Sequence, residues 1–562
     1  MTLAGSISVL GLASATYGEK LCAAALQGLA NRDGPVVFMD YGVYDAPEAR
    51  RTNEIFIDDE AWFTKFRSMV GNQDLLNLDY YRKEHGFAIR QLANLDEFIA
   101  ENLGILNGYV IWDEAVPDSV NIALMLCARD SLLPVSPEMS AGMDRFGLTL
   151  RHDLRGRWPD RLALYRWAFS ELWSSCAVGV VACVEPGWHR PEFVDYIVQN
   201  RIFTYSLAGG VQGLGSTLLM LLAFGPAFLR ELVFGLRLDG VVRRLGLGLM
   251  ALKSEEVRPS NRIQKAVRGN PYPTIFGWHT KRDDELAFML QLSSNGLRLV
   301  PSHLAGNFSF HSKVKPLGDP AKKPGQEFVL DPKGTYITFT LSDGDQLMMM
   351  NTAELGNWYS PVRGTIPFNW EVQPLLAEMA PALLERFTRG ATHNDCLIAG
   401  PSGAGYIVPP LCPDLAGYMK ETARLCEKAG IDIVTTYIAD PPRRILRTLA
   451  RNKGHLAGFL CGYAIVGRAP QSLVAGTVFV ANEVPLAAAI HDTPEALLAG
   501  LRTKIEAPGT LPRFIGVHLF AYRTGIDDIT RFMAGFDDSH IHFVKADEFL
   551  SLARHHHSRA RT

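Results

Sequence analysis

The stretch TYITFTLSDGDQ (335–346) decides how the second half of the chain folds. Its first eight residues, Thr335 to Ser342, are mostly β-branched or aromatic and suit a pleated strand, and Asp343-Gly344-Asp345 then turns the chain. Runs of the same kind recur on both sides. PTIFGW (273–278) and LRLVPS (297–302) precede it; GTIPFNWE (364–371), DCLIAG (395–400), DIVTTYI (432–438), HLAGFLCGY (455–463), GTVFVAN (476–482) and FIGVHLF (514–520) follow. Helical patterns such as Leu375 to Phe387 and Leu415 to Ala429 separate most of them. Repeated strand, loop and helix is the rhythm of a (β/α) barrel, whose active site is built by the loops after the C-terminal strand ends. Trp278-His279, His303, Asp343, Asp345, Trp370-Glu371, Gly400 to Tyr406, Tyr437, Tyr463 and His518 all fall at such ends.

The first half alternates short apolar runs, VVFMD (36–40), YVIWD (109–113), CAVGVVAC (176–183) and IFTYSL (202–207), with helical spacing such as SVNIALMLCAR (119–129). That alternation predicts an α/β layered region. From Lys253 to Asn270 the sequence turns polar and basic, with a Pro and no apolar period, which places the main boundary there. The expected fold class is α/β. It comprises an N-terminal α/β region at 1–255, a C-terminal (β/α) barrel-like catalytic domain at 270–550 and a polar tail at 551–562 that holds His555 to His557.

Two apolar stretches bear on localisation. MTLAGSISVLGLASA (1–15) has no basic residue before Lys20 and is interrupted by Gly and Ser, so it does not read as a signal peptide. IFTYSLAGGVQGLGSTLLMLLAFGPAFL (202–229) is uncharged over a membrane-spanning length, but its Gly and Pro suit a strand, a Gly-rich loop and a buried helix. A membrane is therefore not expected as a partner. With 562 residues, 47% of them hydrophobic, the chain has ample apolar surface for several domains and is no small binding module. Its 56 Lys+Arg nearly balance 59 Asp+Glu without a basic block, which argues against nucleic acid. The eight Cys are scattered, with no C-x-x-C and no His spacing for zinc, and read as buried thiols in a reducing, cytoplasmic setting; neither metal nor cofactor is expected.

Two carboxylates flanking Gly344 can both point into a cleft, where mutual repulsion suits an acid/base or metal-ligand role; a solvated turn is the plain alternative. Glu371, at the end of the next strand, adds a third carboxylate beside an indole. Asp343 or Asp345 with Glu371 is the minimum equipment for glycoside hydrolysis. Gly400-Pro401-Ser402-Gly403-Ala404-Gly405-Tyr406 brushes against a nucleophile elbow, but Ala404 occupies its last Gly position and Pro409-Pro410 follow where a helix is needed. It is no P-loop, since no G-K-[ST] follows. Its glycines let backbone approach a ligand, and Tyr406 offers a ring and a hydroxyl to a sugar.

GAGYIVP (403–409) resembles the signature of the GxGYxYP family, putative glycoside hydrolases. LSDGDQ (341–346), PFNWE (367–371), FGWHT (276–280), LQGLANR (26–32) and DEAVPDSVNIA (113–123) resemble family blocks in the same order. Val408 stands where the motif has a second Tyr. The resemblance implies an N-terminal α/β region, a barrel-like C-terminal domain and a carbohydrate substrate. The candidate catalytic residues are Asp343, Asp345 and Glu371; the candidate substrate-binding residues are Trp278, His279, His303, Trp370, Ser402, Tyr406 and His518. Two other readings stand beside this one. A metal-dependent deacetylase would use the Asp pair as ligand and base. A glycan-binding or assembly protein would keep the cleft without turnover.

Overall fold

The computed structural model describes residues 5–43, 71–187, 191–252, 254–269, 272–302, 305–318, 327–342, 347, 356–438, 440–464 and 472–559. His303, Asp343 and Asp345 lie outside the described residues. The chain divides into two units. The first comprises Met1–Gly213, Leu249–Gly318 and Glu378–Arg386; the second comprises Leu214–Gly248, Asp319–Ala377 and Phe387–Thr562.

The first unit is built from parallel sheets. β1 (Ser6–Gly11) lies between β2 (Val37–Asp40) and β3 (Ala88–Leu92), so the apolar N-terminal run weighed above as a leader is a central strand. β4 (Tyr109–Ile111) lies between β5 (Leu133–Val135) and β6 (Leu150–Asp153). The helix Tyr17–Ala30 packs against both sheets in one apolar core that includes Leu10, Leu26, Met39, Tyr109 and Val135. Thr16 caps its start: the hydroxyl accepts from the Glu19 N–H while the Glu19 carboxylate takes the Thr16 N–H. LQGLANR forms its end, where buried Gln27 and Asn31 both donate to the Val37 carbonyl, at 3.1 and 2.9 Å.

A third sheet runs β8 (Phe203–Tyr205), β7 (Val180–Cys183), β9 (Thr274–Gly277), β10 (Arg298–Pro301). The strands read at PTIFGW and LRLVPS therefore exist, but β9 pairs with β7 and β10 with β9 in this sheet and not in the barrel, because strand pattern does not specify a pairing partner. Inside the segment read as a polar boundary, Val257–Ala266 is a helix whose buried face is Val257, Ser260, Ile263 and Gln264. Polar members of that face hid its period; Gln264 Nε2 donates to Gln291 Oε1 at 3.2 Å.

In the second unit seven parallel strands close into a barrel. They follow the order β12 (Phe368–Val372), β13 (Asp395–Ala399), β14 (Ile433–Ile438), β15 (Gly458–Ala464), β17 (Thr477–Val484), β18 (Arg513–Phe520) and β11 (Thr335–Ser342). Pairing of Thr340 with Asn369 and Leu341 with Trp370 closes the ring. β16 (Ser472–Val474) forms a hairpin with β17, and β19 (Ile541–Phe543) lies beside β11. Side chains alternate across each strand. Near the strand starts, Tyr336, Cys396, Ile433, Leu460, Val478 and Phe514 share one core with Ala546, Phe549, Leu550 and Ala553. The helix Ala546–Arg559 thus plugs that end of the barrel. Ser551 to Arg559, expected as part of a polar tail, continue this helix, with Leu552 and Ala553 buried.

The helices Leu214–Phe224 and Ala227–Gly235, bent at 94° to one another, belong to this unit. Leu219, Leu222 and Ala223 are buried, but Leu221 and Phe228 are exposed, so the segment is half-buried where a buried helix was expected. No single described helix is long and apolar enough to cross a membrane.

Replacing Phe549 by Ala removes the largest ring of the plug and is expected to destabilise the barrel unit by about 3–5 kcal/mol, measured as a lowered urea midpoint. A change within 1 kcal/mol, about the scatter of surface substitutions, would show that the helix does not brace the barrel.

Candidate functional site

Strand alternation sorts the carboxylates and aromatics of β12. Asn369, Glu371 and Gln373 share one face, turned into the barrel; Phe368 and Trp370 share the other. Asn369 Nδ2 donates to Thr338 Oγ1 at 2.8 Å and its Oδ1 accepts from the Ala546 N–H at 2.8 Å, which anchors the lower part of this face. Above it, Glu371 is 2% exposed and sits among side chains from three other strands. Thr435 of β14 donates its hydroxyl to Glu371 Oε1. His518 of β18, fully buried, holds Nε2 3.2 Å from the same oxygen. The amide nitrogen of Asn482 on β17 lies 3.5 Å from His518 Nδ1.

The other carboxylate oxygen, Glu371 Oε2, is buried with no hydrogen-bond partner among the described residues, and so is Gln373 Nε2, one step further along the same face. Buried polar atoms left unpaired are costly, so two of them on one strand face mark a place where a polar ligand or water completes the structure. The face lies where β11, the neighbour of β12, ends at Ser342 and the sequence continues into Asp343-Gly344-Asp345.

Glycine is required beside this cluster. A Cβ on Gly400, the residue after β13, would overlap both Glu371 Oε1 and Thr435 Oγ1, and one on Gly516 of β18 would overlap Asn482 Oδ1. The loop that begins at Gly400 is buried and tightly bonded. Ser402, at φ +67°, donates its hydroxyl to the Ile407 carbonyl at 2.8 Å, and its N–H donates to the Thr435 carbonyl at 2.8 Å. Tyr418 donates to the carbonyls of Ser402 and Gly405, and Gly403 and Gly405 have φ of +111° and +122°. Tyr406 is fully buried with its ring edge-on to Tyr437, centroids 5.9 Å apart. A ring enclosed in this way has no free face for a sugar, so the stacking role expected of Tyr406 gives way to a bracing one. Val408, in place of the family's second Tyr, is buried as well.

Trp370 likewise offers no platform. It is fully buried on the outer side of the barrel, where its indole N–H donates to Asp395 at 2.8 Å and its ring meets Trp358 at 5.1 Å. Arg363 completes the group, 2.6 Å from Asp395 and stacked over Trp358. Trp278 and His279 follow β9 in the first unit; Trp278 is half-buried, and His279 is buried with Nδ1 2.9 Å from the Thr280 carbonyl. Nearby, burial pushes the Asp283 carboxyl up to about 7 while the Gly209 and Gly210 N–H groups pull the other way. Among the described residues, Glu371 and His518 are thus sequence candidates brought into direct contact. Thr435, Asn482 and Gln373 complete their surroundings; strand parity from Glu371 reaches Gln373, but no sequence pattern ties Thr435 or Asn482 to it. Among the described residues no group of three His, Cys, Asp or Glu side chains converges on a metal position.

The sequence comparisons agree with this architecture. The model described as "GxGYxYP putative glycoside hydrolase C-terminal domain" matches residues 333–554, the barrel from β11 to the plugging helix, and the "GxGYxYP_N second domain" model matches residues 106–176. The chain belongs to the GxGYxYP family. Among solved structures, it resembles a putative hydrolase from Bacteroides thetaiotaomicron with a TM-score of 0.74 and 17% identity, over 98% of this chain and 95% of that one. At that identity the likeness shows the fold. A putative polysaccharide deacetylase from Mycobacterium smegmatis aligns over 44% of this chain and 96% of its own at 13% identity, but its TM-score of 0.29 carries no argument. Among curated proteins, none matches the sequence.

Two substitutions separate the site from its scaffold. Gly400→Ala should displace the Glu371 carboxylate and cost about 1–3 kcal/mol, the usual penalty of overpacking, seen as a lowered melting temperature. Trp370→Phe strands the buried Asp395 acceptor and should cost about 1–3 kcal/mol as well, but with turnover of the folded protein unchanged. A large loss of turnover in a stable Trp370→Phe variant would return the indole to the site.

Proposed function

We propose that the chain hydrolyses glycosidic bonds at the C-terminal mouth of the barrel, with Glu371 as one reacting carboxylate and Asp343 or Asp345 as the other. The observation that carries this reading is the buried Glu371 whose Oε1 is held by Thr435 and faces His518 while Oε2 is left without a partner among the described residues. A carboxylate held as an acceptor on one oxygen and open on the other suits the base or nucleophile, so the proton donor to the leaving oxygen falls to the Asp pair. Asp343 and Asp345 follow β11, which pairs directly with the strand of Glu371. Gln373 Nε2 supplies a donor for a sugar hydroxyl on the same face. Membership of a family described as putative glycoside hydrolases supports a carbohydrate substrate.

The test is release of reducing sugar from a panel of polysaccharides and aryl glycosides by the full chain and by Glu371→Gln, Asp343→Asn and Asp345→Asn. Glu371→Gln and one of the Asp variants should lose about 10²–10⁴-fold in turnover with circular dichroism unchanged. Full activity in all three overturns the assignment. Chelator-sensitive release of acetate without reducing sugar would instead mark a deacetylase, and glycan binding that persists in all three variants without product would mark a binding protein.

A further inference from the structure

The helices that join the barrel unit from the first half of the sequence present apolar side chains to solvent. Phe228, Leu232 and Leu236 are 71%, 56% and 60% exposed and recur every four residues, which makes one stripe along Ala227–Gly235. Val241 and Leu245, 62% and 55% exposed, form a second stripe on Asp239–Ala251, and Leu221 adds a third element at 50%. So dense a group of exposed aliphatic and aromatic side chains marks an interaction surface.

Charge identifies what it meets. The helix Arg443–Asn452 reads RRILRTLARN, with exposed Arg443, Arg444, Arg447 and Arg451 and no acidic residue. It lies against the apolar helices: Arg444 is 3.1 Å from Asp239 and its guanidinium sits over the Phe234 ring at 5.7 Å, while the Arg443 N–H donates to Glu231 at 2.8 Å. Leu446 and Leu449 turn inward, so the arginines form the outer face of that helix. An apolar stripe beside an arginine face is the pattern of a segment that lies in a lipid interface, with aliphatic groups among the acyl chains and guanidinium groups at the phosphates. A two-fold contact between copies of the chain would set like charges against each other at the edge of the patch.

We propose that this face docks on an anionic lipid surface and lies in the interface; its first two helices are bent 94° to one another and no single described helix is long and apolar enough to cross. The docking is independent of the hydrolase reading, since none of these residues belongs to the Glu371 cluster.

Vesicle flotation tests it without any turnover assay. The full chain should float with phosphatidylcholine vesicles containing about 30% phosphatidylglycerol, at least about tenfold more than with phosphatidylcholine alone. Flotation should fall as salt approaches 1 M, where the screening length shrinks to about 3 Å. Paired substitution of Phe228→Ser with Leu232→Ser should abolish it, and Arg447→Glu with Arg451→Glu should reduce it to the level of neutral vesicles, each with circular dichroism unchanged. Absence of flotation by the full chain, or equal flotation with neutral vesicles, overturns the proposal. So does a stable dimer in light scattering that dissociates on the Phe228 and Leu232 substitutions, with no capture by vesicles.

Discussion

Two registered pairs, Thr340 with Asn369 and Leu341 with Trp370, join β11 to β12 and turn a sheet with two edges into a closed barrel. Closure removes the exposed edge groups, and it fixes which side chains of β12 face inward. A slip of one residue would turn Trp370 into the barrel and Glu371 out of it. The same pairing brings the end of β11, where the sequence runs into Asp343-Gly344-Asp345, next to the strand that carries Glu371. The inward placement of Glu371 follows from that register.

The interior is divided by polarity along the barrel axis. At the strand starts the apolar side chains of the barrel wall meet the helix Ala546–Arg559, and the burial there supplies stability. Above Asn369, which bonds that helix, Glu371, Thr435, Asn482 and His518 replace them. Polar groups at this depth cost desolvation unless bonded. Some are bonded to one another, and among those without a hydrogen-bond partner in the described residues, Glu371 Oε2 and Gln373 Nε2 share one strand face. An apolar core and a polar cluster are thereby placed at opposite ends of the same barrel.

The loop that names the family packs beside that polar cluster. Its glycines adopt left-handed backbone at Gly403 and Gly405 and give way to Glu371 at Gly400, while Tyr418 and the Ser402 hydroxyl bind its own backbone. The loop is bonded to β14 through the Ser402 N–H on the Thr435 carbonyl, and Tyr406 packs against Tyr437 there. The outer Trp370, Asp395, Arg363 and Trp358 cluster packs on the other side of β12.

The sequence by itself determined the elements that depend on local pattern. The run Thr335 to Ser342 is a strand over the residues read, Leu415 to Ala429 is the helix read, and the carboxylate Glu371 falls at a strand end. These follow from side-chain periodicity and turn chemistry, which act between near neighbours. Only the tertiary structure decided which strands share a sheet, because pairing joins segments far apart in sequence: β9 and β10 carry strand patterns no different from those of the barrel yet join the sheet of β7 and β8. It alone set which aromatic residues reach solvent, enclosing Trp370 and Tyr406 while exposing Phe228, since burial depends on what packs over a residue and not on its type. It alone gathered Thr435, Asn482 and His518 from three strands around Glu371, a convergence that exists only once the barrel closes.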